Sequence, residues 1–245
     1  MNVIYQSQHQ VHSFQVDFRK QMRPSSMVRI FQEAATVHAE QLGIGYDALI
    51  EKGLFWVLSK IEMNIIEPLY WEDEFVIETW TVESEGLLFR RDFQFKKEDR
   101  VICKGSSGWL IVNEQKRRPV RPSTIKTDLL PFQNEGTELY FENKIKVEDD
   151  QVKGHIRIGY SDIDMHQHAN NTRYFDWLLQ CIPQETLKNN QIKSITIEYI
   201  KEASWGEILD VKATQTVTDE TSSINVETVH PNDGKICFRG RCILA

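Results

Sequence analysis

A repeat constrains this chain more than any other feature. Ile61, Met63, Ile65, Trp71, Asp73, Phe75, Ile77 and Thr79 are answered, at a constant offset of 134 residues, by Ile195, Ile197, Tyr199, Trp205, Glu207, Leu209, Val211 and Ala213. The same spacing relates Asp99-Arg-Val-Ile-Cys103 to Asp233-Gly-Lys-Ile-Cys237. Upstream, Val28-Arg-Ile-Phe31 pairs with Thr172-Arg-Tyr-Phe175 at an offset of 144, so the first half carries about ten extra residues, around Gly43 to Gly53. Self-similarity sustained over this much chain means that one structural unit has been built twice.

Each copy reads as a strand, one helix and then several long strands. Pro24-Ser-Ser opens a helix that sets Phe31, Ala34, Ala35, His38 and Leu42 on one stripe, and Gly43 closes it. Val57, Ser59, Ile61, Met63 and Ile65 then alternate with Leu58, Lys60, Glu62 and Asn64, and Phe89, Arg91, Phe93 and Phe95 alternate likewise, as strands do. The second helix runs from about Asn171 to Ile182, where Pro183 ends it. One helix with four or five antiparallel strands, twice over, predicts an α+β chain of two sheets, each wrapped around its own helix and joined edge to edge. That is a tandem hotdog. A β-sandwich or an unrelated α+β pair is the competing reading. The boundaries fall at 1–132 for the first domain and 151–245 for the second, with a linker at 133–150, where Asn134-Glu-Gly and Val147-Glu-Asp-Asp150 interrupt the pattern.

A chain of 245 residues can bury a proper core. Its net charge of −7 and pI near 5.6 argue against a nucleic-acid binder. No apolar run reaches the roughly 18 residues of a membrane span, and Met1-Asn-Val-Ile-Tyr-Gln lacks the build of a signal peptide, so a cytoplasmic location is expected. Cys103, Cys181, Cys237 and Cys242 show no CxxC pairing and read as reduced, buried thiols.

Chemistry concentrates in Asp162-Ile-Asp-Met-His-Gln-His-Ala-Asn-Asn171, two carboxylates and two imidazoles directly before a helix. If this stretch is extended, Asp162, Asp164, His166 and His168 share a face. Asn170 or Asn171 then caps the helix, whose first N–H groups can seat a developing negative charge. In the first copy Lys20-Gln-Met-Arg-Pro24 answers Asp164 to His168 and holds neither acid nor histidine, while Pro68 answers Glu202. One active site per chain, in the second copy, follows. Against this stand plainer roles: Asp162 as a loop anchor, Asn170 and Asn171 as caps, Glu202 as a solvated charge, His38 as a core histidine. His-x-His near aspartates can also hold zinc, but Ala169-Asn-Asn stands where further ligands would be needed, so no metal or other cofactor is expected.

The motif resembles that of the acyl-acyl-carrier-protein thioesterases of plants and bacteria, which carry Asp-x-Asp-x-Asn-x-His-Val-Asn-Asn before their second helix. Tyr174 and Trp177, Phe31-Gln-Glu-Ala-Ala35 with His38, Trp109-Leu-Ile-Val-Asn-Glu-Gln-Lys-Arg-Arg118 and Glu198-Tyr-Ile-Lys-Glu202 extend the resemblance over nearly the whole chain. It implies a tandem hotdog hydrolysing the thioester between a fatty acyl chain and acyl carrier protein, with catalytic positions at Asp164, His166, His168 and Glu202. Two departures matter: His166 stands where plant members have asparagine, and Ala203 where many have a cysteine, which favours direct attack by water. Glu202 and Asp164 are expected to activate that water, with His168 sharing the proton. Substrate contacts are expected at Asn170 and Asn171, and along an acyl tunnel past Ala34, Ala35 and His38. An acidic carrier protein needs a basic patch, and Lys116, Arg117, Arg118 and Arg121, with Lys126 nearby, form the densest one. An acyl-coenzyme A thioesterase, a hotdog dehydratase and a non-catalytic acyl-binding module are the alternatives. Neither a nucleic-acid nor a membrane partner is expected, and a homodimer stays open.

Overall fold

Two-residue alternation of apolar and polar side chains dominates the chain, and in the computed structural model these stretches become strands. The structure describes residues 3–121, 132–133, 136–137, 139, 141, 144–218 and 220–245, with side chains at all of these except 83–85 and 132–133. The chain divides into two units, Met1–Ile61 with Ile65–Tyr140, and Phe141–Ala245 with Glu62–Asn64. Among the described residues no helix is long and apolar enough to cross a membrane.

In the first unit β1 (Ile4–Gln10), β2 (Leu54–Ile65), β3 (Glu74–Glu85), β4 (Leu88–Lys97) and β5 (Arg100–Asn113) lie in the order β1-β3-β4-β5-β2. Two-residue pairings are added by β6 (Arg118–Pro119) on β5 and β7 (Phe132–Gln133) on β3. Helix α1 (Pro24–Gln41) carries the expected stripe: Phe31, Ala34, Ala35, His38 and the C-cap Leu42 are all buried. Proline at its first position costs no hydrogen bond there, and Gly43 leaves the helix at φ 70°. Phe31 stacks on Phe93 at 4.6 Å and meets the edge of Phe95 at 4.9 Å. This fit requires a glycine beneath it, because a Cβ on Gly105 would stand 2.4 Å from the Phe31 ring. The residues extra to this copy form α2 (Tyr46–Ile50), whose Leu49 joins Leu42, Phe89 and Ile111 in a buried cluster.

The second unit repeats the plan with β8 (Gly154–Arg157), β9 (Ile192–Tyr199), β10 (Ile208–Val217), β11 (Ser222–Val229) and β12 (Ile236–Leu244), in the order β9-β12-β11-β10-β8. Helix α3 (Arg173–Gln180) packs Tyr174 edge-on to Tyr199 at 5.0 Å and to Phe238 at 5.1 Å. Leu178 sits over Gly240, where a Cβ would come within 3.0 Å of it. Cys181 is the C-cap, so α3 is shorter at both ends than expected, and after Pro183 the chain starts the separate α4 (Gln184–Asn189).

Backbone hydrogen bonds correct one alignment of the copies. Asp17 N donates to Gln21 O (2.8 Å) and Lys20 N to Asp17 O (3.0 Å), and in the second unit Asp164 N donates to His168 O (2.9 Å) and Gln167 N to Asp164 O (3.0 Å). Lys20 and Gln167 share a left-handed φ, 61° and 66°. Met22 N reaches Leu69 O as Ala169 N reaches Ala203 O. Asp17 therefore answers Asp164, Arg19 answers His166 and Gln21 answers His168, three residues away from the alignment of Lys20–Pro24 with that stretch. An acid is present in the first copy after all, but no imidazole is, and Pro68 still faces the position of Glu202.

Candidate active site

The site is built on the chain entering α3. A short 3-10 turn at Tyr160–Asp162 turns Asp162 inward, where Oδ2 accepts the Gly159 N–H (2.8 Å) and Oδ1 accepts from Arg173 Nε (2.7 Å). Arg173 Nη1 also donates to Asp176 Oδ2 at 2.6 Å. Buried charge needs such pairing, and this one anchors the helix start to the loop. Asp162 is thus an anchor.

Ile163 and Ala169 then bridge, and residues 164–168 close a tight loop between them. Asp164 Oδ1 accepts the His166 N–H at 2.9 Å, an Asx turn, and the left-handed Gln167 completes the reversal. The extended reading of this stretch is therefore overturned: Asp162 points in, His166 is exposed, and the four side chains do not share one face. Past the loop, His168 pairs by backbone with Ser204, and Ala169 N donates to Ala203 O at 2.9 Å. That pairing brings His168 Nδ1 to 3.3 Å from Glu202 Oε2, although the residues are far apart in sequence. Nδ1 is buried without a hydrogen-bond partner, so the two atoms are in contact but not hydrogen-bonded, and a small shift would convert the contact into a hydrogen bond. The two side chains are 45% and 57% exposed, which leaves the pair open to a substrate.

Neither Asn170 nor Asn171 caps the helix, whose N-cap is Thr172; Asn170 instead closes an Asx turn just before it, its Oδ1 accepting both the Thr172 N–H (2.9 Å) and the Thr172 hydroxyl (2.7 Å). The Asn171 carbonyl accepts the Tyr199 hydroxyl at 2.8 Å. With Arg173 N donating to Asn170 O at 2.9 Å, the Thr172 and Arg173 amides are engaged within the loop, and the oxyanion seat expected at the helix start is closed at those two positions.

In the first unit Ala34, Ala35 and His38 lie buried on the inner face of α1. His38 Nδ1 stands 2.9 Å from Arg91 Nη1, which also donates to Thr79 Oγ1 at 3.3 Å. Burial pushes the Arg91 guanidinium down to about 10. Lys116, Arg117, Arg118 and Arg121 are exposed, but Arg117 has φ 49° and sits 6.0 Å over the Phe55 ring, which gives it a turn role as well. Lys126 lies outside the described residues, as do positions 134–135, 138, 140 and 142–143 of the linker. Sequence reasoning passed over Glu207 and His230: Glu207 Oε2 accepts the Ser204 N–H at 2.8 Å, and His230 Nδ1 lies 3.8 Å from the same oxygen. The repeat pairing of Glu207 with Asp73 was the available signal.

A duplicated helix-and-sheet unit with an imidazole–carboxylate pair in its second copy defines the class, a tandem hotdog. The acyl-ACP thioesterase N-terminal domain matches residues 2–129 and the acyl-ACP thioesterase C-terminal domain residues 145–241. The chain belongs to the acyl-ACP thioesterase family. Oleoyl-acyl carrier protein thioesterase 2, chloroplastic, of Arabidopsis thaliana is 30% identical over 239 residues, covering 89% of this chain and 65% of its own length. The oleoyl-acyl carrier protein thioesterase of Coriandrum sativum is 29% identical, covering 89% of this chain and 64% of its own. The chain thus spans less than two thirds of the length of these curated relatives. Among solved structures, an acyl-ACP thioesterase from Bacteroides thetaiotaomicron superposes with a TM-score of 0.88 at 24% identity, covering 99% of this chain and 98% of that one. The 12:0-ACP thioesterase from Umbellularia californica gives 0.88 at 19% identity, covering 99% and 94%. At these identities the likeness speaks for the fold, which is the tandem hotdog expected from the repeat.

Proposed function

We propose that this chain hydrolyses the thioester of fatty acyl-acyl carrier protein, releasing free fatty acid and ending chain elongation. The observation that carries this is the His168–Glu202 contact, which the second copy alone can make. Glu202 beside Nδ1 favours the tautomer with its proton on that nitrogen, leaving the Nε2 lone pair to take a proton from water and later return it to the departing sulfur. Asp164 holds the loop that presents His168, His166 at the loop surface contacts the substrate, and Asn170 and Asn171 fix the helix start beside it. With Ala203 after Glu202 there is no thiol at that place, so the nucleophile is water. The first domain, 1–132, binds the acyl chain along Ala34 and Ala35, the second, 151–245, carries the chemistry, and residues 133–150 link them. Lys116, Arg118 and Arg121 meet the acidic carrier protein. Family membership and the names of the relatives support the carrier-bound substrate.

The test is fatty acid release from long-chain thioesters on carrier protein and on coenzyme A, measured side by side. Faster turnover of the carrier-bound form is expected. Preference for coenzyme A would replace the substrate assignment, and no release from either would end the hydrolase reading.

A further inference from the structure

The two copies treat one station of the fold differently, in a way that bears on the candidate pair. In the first unit Asp73 Oδ2 accepts the Tyr70 N–H at 2.8 Å, closing the turn after β2, and Asp73 Oδ1 accepts from Lys97 Nζ at 2.7 Å. In the second unit Glu207 Oε2 accepts the Ser204 N–H at 2.8 Å, closing the turn after β9, and its neighbour is His230. Sheet register makes Lys97 and His230 counterparts: Lys97 follows Lys96, which pairs with Val76, and His230 follows Val229, which pairs with Asp210. The surroundings differ. The Lys97 side chain is 30% exposed, whereas that of His230 is 6% exposed. His230 Nε2 is moreover buried with no hydrogen-bond partner among the described residues, which costs stability. The costly arrangement stands only in the copy that holds His168 and Glu202.

We propose that His230 is a positioning residue: with Glu207 it fixes the Ser204 turn and thereby holds Glu202 against His168. The path is short. Ser204 bridges to His168, the Ala203 carbonyl takes the Ala169 N–H, and Glu202 is the next residue back along the same turn. A rigid, buried imidazole restrains Glu207, Glu207 restrains Ser204 N–H, and the register of the turn sets the 3.3 Å approach. A small misplacement at a reacting centre can cost up to about a hundredfold in rate.

This rests on the hydrolase reading for its kinetic arm, so a second readout is independent of turnover. In His230→Ala, kcat should fall about tenfold or more with KM within twofold, because the substrate contacts are untouched. Glu207→Gln, whose amide oxygen still accepts the Ser204 N–H but lacks charge toward His230, should fall in the same way. His230→Lys, the first copy's solution, restores a donor to Glu207 but not a rigid one, and should recover only part of the lost kcat. The His168 imidazole resonances followed by NMR should move in His230→Ala and Glu207→Gln and return towards their original positions in His230→Lys. If the unmodified chain shows no turnover the hydrolase reading fails, while moved His168 resonances still uphold the positioning role. Unmoved resonances in a folded Glu207→Gln, or kcat within twofold in both Glu207→Gln and His230→Ala, would overturn it.

Discussion

Asp17 and Asp164 make the same hydrogen bond in the two copies: each Oδ1 accepts the N–H two residues on, from Arg19 at 2.8 Å and from His166 at 2.9 Å. An aspartate that does this where there is no imidazole to serve is a turn-former first. Asp164 therefore has a loop-closing role whether or not it also handles protons.

Substitutions separate the two roles. Asn keeps an oxygen that can accept the His166 N–H, and Ala does not. Asp164→Asn should leave thermal stability within about 0.5 kcal/mol and lower kcat only if the carboxylate takes part in chemistry, whereas Asp164→Ala should cost about 1 kcal/mol through the lost turn. Thermal unfolding of both variants beside their kinetics decides. Equal kcat for Asn and the native residue would remove Asp164 from the proton network.

Glycine contacts predict an asymmetry between the units. Gly105→Ala puts a methyl 2.4 Å from the Phe31 ring, wedged between Phe93 and Phe95, and overpacking of that kind costs about 1–3 kcal/mol. Gly240→Ala meets Leu178 at 3.0 Å, the end of a more adjustable side chain, and should cost less. Denaturant midpoints of the two variants test the order.

Thiol reactivity should be low throughout. Burial pushes Cys237 and Cys242 up to about 12 and Cys181 up to about 11, and raises Cys103 as well. A raised value leaves almost no thiolate near neutral pH, so alkylation in the native state should be slow, with Cys181 first because it alone is partly exposed. Mass analysis after iodoacetamide treatment reads this directly. Hydrolysis should survive the treatment, and rapid inactivation by it would point to a thiol nucleophile.

Charge reversal at Lys116 and Arg118 should raise KM for a carrier-bound thioester severalfold and leave a coenzyme A thioester unaffected. Arg117 is the poorer probe, because its left-handed backbone and its place over Phe55 tie it to the turn. Equal shifts for both substrates would remove the patch from carrier recognition.

Much of the fold was legible in the sequence, for physical reasons that also explain the misses. The period-two runs and the Phe31–Leu42 stripe are burial patterns, and they appear where burial puts them. The alignment of the copies slipped by three residues ahead of the helix because a stripe of period 3.6 looks nearly the same after such a shift. Backbone hydrogen bonds carry no such ambiguity. The geometry of the Asp162–Asn171 stretch depends on Asx turns at Asp164 and Asn170 and on a left-handed Gln167, local choices that an alternation pattern does not register. His230 escaped notice because only strand register brings it beside Glu207.

We propose that His168 and Glu202 work as one unit. The most direct test is the kcat for a long-chain acyl-carrier-protein thioester in Glu202→Gln, His168→Ala and the double variant. A positioned base contributes roughly 10²- to 10⁴-fold, so each single change should lower kcat at least about tenfold, and the double variant should fall no further than the worse single one. Undiminished hydrolysis in either single variant, or two losses that multiply in the double, would contradict the account.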